Sequence, residues 1–507
     1  MRNTLRLSMA AITLAMGTNS FCKPMTAVLR LKERVRMEDL AASVVSPVSL
    51  RYKSVYTPEE IRNISAPTDQ SYQELIATLK AKGFQITGES KTHLWVSVSA
   101  DKNNFENVFA TQIQDMTKRR HRTLIEPKVP AQLAAIESVG GLTNTRELHP
   151  KYVLNKMPRF LDGGIPQAAI KTVYGFDAIY KSGITGKGQH IAIATYNGFN
   201  LDDVKFFYNN SKLDPMPNVD VVSFNGTAVY DENSALETQL DAEFSGMIAP
   251  GASVHVFASK TNDDIGELQM FNAILDDNRA QVANYSWGGC ETTLDPVHKE
   301  DMAKVFARAV AQGVNIMVAS GDNGSDSCGD GTNKADWPSA NPNVVAVGGT
   351  SLTVAADGSG SELAWSGSGG GISAVWDLPM WQNGLGAPYV KRSYPDVSFN
   401  ADPQTGQAVY GHYQGNAGYI IIGGTSMAAP QWSGFMALVG EARATASKAP
   451  VGFINPIIYG FSVQDRAAYF NDVTSGSNGV YSAGKSWDAV TGWGSMKAGS
   501  LFTKLSN

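Results

Sequence analysis

The chain has 507 residues with 43% hydrophobic and 18% charged content, the composition of a soluble globular protein long enough for two or three domains. Past the N-terminus no segment is apolar and long enough for a membrane-crossing helix, which excludes a helical membrane span. The 42 basic and 47 acidic residues are split unevenly: residues 1–160 hold 23 Lys and Arg against 14 Asp and Glu, and residues 161–507 hold 19 against 33.

A basic stretch can meet nucleic acid, but the simpler reading is that the basic front and acidic body attract each other. Acid would protonate the carboxylates and loosen that attraction. At the start, Arg2 and Arg6 precede an uncharged run from Leu7 to Gly17, too short to span a bilayer. It fits a secretory signal peptide, placed here at residues 1–22. Export would put Cys290 and Cys328 where a disulfide is allowed, although their spacing is as compatible with two buried thiols.

The front segment reads as a small α+β domain. Thr57, Pro58 and Glu60 form the N-cap, first turn and capping box of a helix. A second helix puts Leu75, Ile76 and Leu79 on one face and ends at Gly83. HLWVSVSA predicts a strand, Phe105, Val108 and Phe109 a further helix, and Pro130–Leu142 another helix with a glycine stop. Residues from about His149 to Pro166 read as a linker. The body then alternates strands such as Ile191–Thr195 with helices such as the one reaching Ala249, a rhythm that predicts a mainly parallel sheet flanked by helices. Ligands in such sheets sit at the carboxyl ends of the strands. Ser286–Gly289, Gly321–Ser325 and Gly423–Ser426 fall at such ends.

IIGGTSMAAP offers Ser426 as a nucleophile at the mouth of a helix, and such a serine needs a base. None of the seven histidines (His93, His121, His149, His190, His255, His298, His412) lies in a motif that would aim it at a nucleophile. Carboxylates are the alternative. Glu237 and Asp241 stand four residues apart on one helix face, beside the apolar stripe of Leu236 and Leu240. Two close carboxylates share protons, so one can stay neutral while the other works as a base. Asp322, in SGDNGS, would follow a strand. It can donate to an oxyanion only when protonated, and at an ordinary pKa of about 3.9 only roughly one Asp in a thousand is protonated at pH 7.

GGTSMAAP, ETQLD and SGDNGS, in this chain at 423–430, 237–241 and 320–325, together resemble the sedolisin family of serine-carboxyl peptidases, over nearly the whole chain. The resemblance implies a subtilisin-like catalytic domain, residues 161–507, behind an inhibitory ferredoxin-like propeptide, residues 23–160 with an end between 150 and 166. It implies Ser426 as nucleophile, Glu237 as general base, Asp241 hydrogen-bonded to Glu237, and Asp322 as oxyanion donor. It implies that NYSWGG, 284–289, pairs with substrate backbone, and that Cys290 and Cys328 are bonded. It also implies one structural calcium ion, held by the side chains of Asp472 and Asp488 and the carbonyls of Val473, Gly484 and Ser486. One departure stands out: Thr195 occupies a position where kumamolisin-like members extend the triad with a Glu.

The expected protein is therefore a secreted, extracellular or periplasmic, acid-active endopeptidase made as a self-processing zymogen. Its partners are protein or peptide substrates and its own propeptide, with no nucleic acid, no membrane and no second subunit. A tripeptidyl exopeptidase on the same fold and a non-catalytic binding protein are the competing readings.

Overall fold

The computed structural model describes residues 24–117, 120–154, 164–386 and 388–507. The signal-peptide residues 1–22 and much of the expected linker lie outside these. Among the described residues no helix is long and apolar enough to cross a membrane.

The front segment builds a four-stranded antiparallel sheet in the order Gln85–Glu89, Trp95–Ala100, Met25–Leu31, Ile136–Gly140. Helices Asp69–Ala81 and Lys102–Phe109 give it a core of its own, in which Tyr72, Leu75, Leu79, Phe105 and Phe109 are buried. This is the ferredoxin-like arrangement. The helix Pro58–Ser65 starts with both halves of the Thr57–Glu60 capping box formed. One expectation fails. Pro130–Leu142 is not a helix but a short 3-10 turn, Ala131–Leu133, followed by the edge strand Ile136–Gly140. Pairing with Met25–Leu31 supplies backbone partners that outweigh the stretch's weak helical preference.

The body is a subtilisin-like α/β fold. Its main sheet runs Asn218–Val221, Ser253–Ser259, His190–Tyr196, Val282–Tyr285, Asn315–Ala319, Val345–Val354, Val397–Asn400, with every one of these neighbouring pairs parallel. Cys290 and Cys328 form a disulfide.

The two parts share apolar contacts. Met37, Leu40, Ala41 and Val44 of helix Met37–Val45 pack against helix Pro296–Ala311 and join the core of the body. Around this patch the charges meet mostly as the split predicts. Buried Arg30 binds Asp301, and buried Arg146 binds Asp264 and Glu267. Lys304 reverses the polarity: it belongs to the body and binds Glu33 and Glu38 of the front segment.

Candidate active site

Helix Thr425–Thr445 begins at Gly424, whose φ of 101° suits glycine. A Cβ there would lie 2.5 Å from Lys151 O and 2.7 Å from Asp322 Oδ2, so the close approach also requires glycine. Ser426 sits in the first turn, fully buried, and its Oγ donates to Glu237 Oε2 at 2.8 Å.

Glu237 and Asp241 lie one turn apart on helix Glu232–Ile248, which starts on an Asp231 cap. The sequence suggests an acidic pair beside a buried stripe. The helix is instead buried all round from Ala235 to Ile248, between the sheet, helix Thr425–Thr445 and the hairpin Gln407–Gly423. Burial pushes both carboxyls well above the usual carboxylate range, and Asp241's charge adds to the effect on Glu237. Ser286 Oγ donates to Asp241 Oδ1 at 2.7 Å, and Asn284 Nδ2 donates to Ser286 Oγ at 3.0 Å. Among the described residues Glu237 Oε1 and Asp241 Oδ2 are buried and have no donor. Thr195 Oγ1 meets Thr238 Oγ1 at 2.8 Å and accepts from Trp287 Nε1 at 3.1 Å.

Asp322 follows strand Asn315–Ala319. Its Oδ1 accepts from Thr425 N at 2.7 Å and from Thr425 Oγ1 at 2.8 Å. Its Oδ2 is buried and has no donor among the described residues. Burial pushes the group up to about 7, against the two Thr425 bonds. Below that pH Oδ2 can carry a proton and donate it.

Three of the histidines are held elsewhere by carboxylates. His298 binds Glu267, His255 binds Asp220, and His412 binds Asp203.

The expected linker is where the structure differs most from the sequence reading. Residues 149–154 are not free chain: His149–Pro150 pairs antiparallel with Trp287–Gly288, and Val153–Leu154 with Gly423–Ile422. Lys151 N donates to Ser286 O at 3.0 Å, and Lys151 O accepts from Ser426 N at 2.9 Å. Leu148 exchanges two bonds with Asn262, at 3.1 and 2.8 Å. A peptide thus crosses the face of Ser426 and is gripped on both sides. Lys151 and Asp336, which binds its side chain, were not singled out in the sequence. The only signal was a lysine between Pro150 and Tyr152 in a stretch otherwise read as connector.

Asp472 and Asp488 both accept bonds from the short stretch 484–486. Asp472 Oδ2 accepts from Ser486 N at 3.0 Å, and Asp488 Oδ2 from Gly484 N at 3.1 Å. Burial pushes Asp488 up to about 6, against bonds from the Thr491, Gly484 and Val490 backbone and the Thr491 hydroxyl. Two carboxylates and a carbonyl-rich loop are the donors a hard cation takes, so these residues fit calcium in chemistry. Asp264, Glu267 and His298 also lie within 4.8 Å of one another, but Arg146 fills the space between them.

Residues 19–145 match the family described as "Pro-kumamolisin, activation domain", and residues 193–453 the "Subtilase family". Sedolisin of Pseudomonas sp. (strain 101) is 29% identical, over 93% of this chain and 85% of that protein. Kumamolisin of Bacillus sp. (strain MN-32) is 34% identical, over 73% of this chain and 70% of that protein. The solved structure of Pseudomonas sedolisin, a serine-carboxyl proteinase complexed with two molecules of pseudo-iodotyrostatin, superposes with a TM-score of 0.61 at 30% identity, covering 68% of this chain and 98% of that one.

Proposed function

The chain belongs to the sedolisin family of serine-carboxyl peptidases, and from that premise we propose that it is a secreted, acid-active endopeptidase made as a self-processing, monomeric zymogen. The observation that carries the reading is Ser426 Oγ, bonded at 2.8 Å to a buried carboxylate and facing a peptide held in strand pairing.

In this reading Ser426 Oγ attacks the substrate carbonyl carbon while Glu237 takes its proton. Asp241 holds Glu237 in place and shares its proton. The oxyanion is met by Ser426 N–H and by protonated Asp322. Glu237 then gives its proton to the leaving amine, and water releases the acyl group by the reverse path. Endo-cleavage is favoured over removal of tripeptides by the bound segment itself. It continues upstream through His149 to Leu148, still gripped by Asn262, so the groove admits chain past the third residue from the cut.

The front segment acts as the inhibitor, and acid as its release. Burial pushes Glu267 up, but Arg146 and His298 outweigh it and hold the group down to about 2. A depressed carboxyl strengthens its contact above its ordinary pKa and loses it only as pH falls through about 2, so the Arg146 clamp persists in mild acid. Burial pushes Glu38 up, but its bond from Lys304 outweighs that and holds the group down, so this tie between the two parts weakens as pH falls below the ordinary carboxylate range. Incubating the purified precursor from about pH 7 to about pH 3, across the carboxylate range, is expected to show self-processing and cleavage of an unfolded protein that both speed up in acid. Both should be absent in Ser426→Ala. Fastest processing at neutral pH would remove the acid switch, and an active Ser426→Ala would remove the nucleophile.

One calcium ion is part of the reading, bound by Asp472, Asp488 and the carbonyls of Val473, Gly484 and Ser486. When bound it would neutralise the two carboxylates and tie the loop together. Chelation is expected to lower the thermal midpoint by several degrees, restored by calcium and not by magnesium, whereas Asp488→Asn should no longer respond to either ion. A wild-type midpoint indifferent to chelator would discard the site.

A further inference from the structure

The segment across the active site carries a lysine with a pocket of its own. Lys151 N and O are fixed by Ser286 and Ser426, so the Lys151–Tyr152 bond is the one presented to Ser426 Oγ. The Lys151 side chain is only 5% exposed. Its Nζ donates to Ala319 O at 2.7 Å, lies 3.4 Å from Ser339 Oγ, and is ion-paired with Asp336. Gly288 forms one wall: a Cβ there would lie 2.2 Å from Nζ and 2.3 Å from Cε.

Asp336 is built into the end of the pocket. It is 3% exposed, Ser339 Oγ donates to its Oδ1 at 2.7 Å, and its own N–H is fastened to Tyr394 Oη at 2.9 Å. A carboxylate buried this deeply is costly unless a cation completes it. Among the described residues its cationic partner is Lys151, which belongs to the occupying peptide and not to the walls. Once that peptide leaves, the next chain to bind meets an acidic, narrow, deep pocket.

We infer that this pocket selects a lysine or arginine immediately before the cut, and that Lys151–Tyr152 is the bond this protein first cuts in itself. The inference rests on the peptidase reading above. In the self-cleavage, a bond forms between Ser426 Oγ and the Lys151 carbonyl carbon, and the bond from that carbon to Tyr152 N breaks. The Oγ proton passes through Glu237 to Tyr152 N. Water then displaces Ser426, leaving a carboxylate on Lys151 and a free amine on Tyr152. Both products stay paired at first, Pro150 with Trp287 and Val153 with Gly423.

The test uses wild-type mature enzyme and internally quenched peptides that differ only before the cut: Lys, Arg, norleucine or Glu. A site built to bond an ammonium should prefer Lys over norleucine by about a hundredfold in kcat/KM, with Glu worst. Asp336→Asn is expected to bring the Lys to norleucine ratio near one, the norleucine peptide reporting that the variant is folded. Equal wild-type rates on norleucine and Lys would overturn the pocket assignment while leaving the peptidase reading intact. No cleavage of any peptide would defeat the peptidase reading instead. N-terminal sequencing of the first processed product should start at Tyr152, and Lys151→Glu should slow its appearance. A different start, unaffected by Lys151→Glu, would overturn the self-cleavage assignment.

Discussion

Glu237→Gln is expected to lower kcat by about ten-thousand-fold while leaving the protein folded. The amide keeps the shape of the side chain in its buried niche and can still contact Ser426 Oγ, but it cannot take a proton. Among the described residues His298, His255 and His412 are each engaged by carboxylates away from Ser426 and do not replace Glu237. The stability should move the other way. Burial pushes the Glu237 and Asp241 carboxyls up, and the charges of Asp241 and Asp322 add to it at Glu237, so ionising the wild-type site costs folding energy. The variant should therefore melt no lower than wild type, and its precursor should stay full length in acid. Steady-state kinetics on a peptide and a thermal melt check both halves. Activity within about tenfold of wild type would sink the base assignment.

Asp322 carries the second large effect. Asp322→Ala is expected to reduce kcat by about a hundred- to a thousandfold, the usual loss for one oxyanion donor. Asp322→Asn separates donation from titration. The wild-type group, pushed up to about 7 by burial, donates from Oδ2 only below that pH. Above it the ionised carboxylate faces the oxyanion with like charge, so activity falls as pH rises through about 7. Asparagine donates at every pH, so the variant should retain activity in acid and lose this alkaline fall. A pH profile of kcat for both proteins decides it. An unchanged alkaline limb in Asp322→Asn would mean that another group sets it.

What could be read from sequence was local. The glycines around Ser426, the four-residue spacing of Glu237 and Asp241, and Asp322 after an apolar strand are short patterns, and the fold brings their side chains together. The parallel sheet was legible for the same reason, since strands and helices alternate along the body. Three things were not legible. Ile136–Gly140 looked helical because its strand partner, Met25–Leu31, lies more than a hundred residues away in the chain. Helix Glu232–Ile248 is buried on all sides from Ala235 on, so the stripe of Leu236 and Leu240 gave no sign that the acidic pair beside it is buried as well. Lys151 and Asp336 are separated by 185 positions and become a pair only when residues 149–154 enter the cleft. A proline-containing stretch reads as connector until the groove that straightens it is known.

The apolar seat of helix Met37–Val45 has a consequence for timing. Severing the chain at the cleft removes a tether but not that seat, nor the Arg146 clamp beside it. The front segment becomes a second molecule, held by its own interface and no longer by covalent proximity. Its departure is then a dissociation, slow at high protein concentration and favoured on dilution. On the proposed cut, activation then follows cleavage as a separate step: freshly cut enzyme is expected to stay silent when concentrated and to become active on dilution, which activity assays over a range of enzyme concentrations would check.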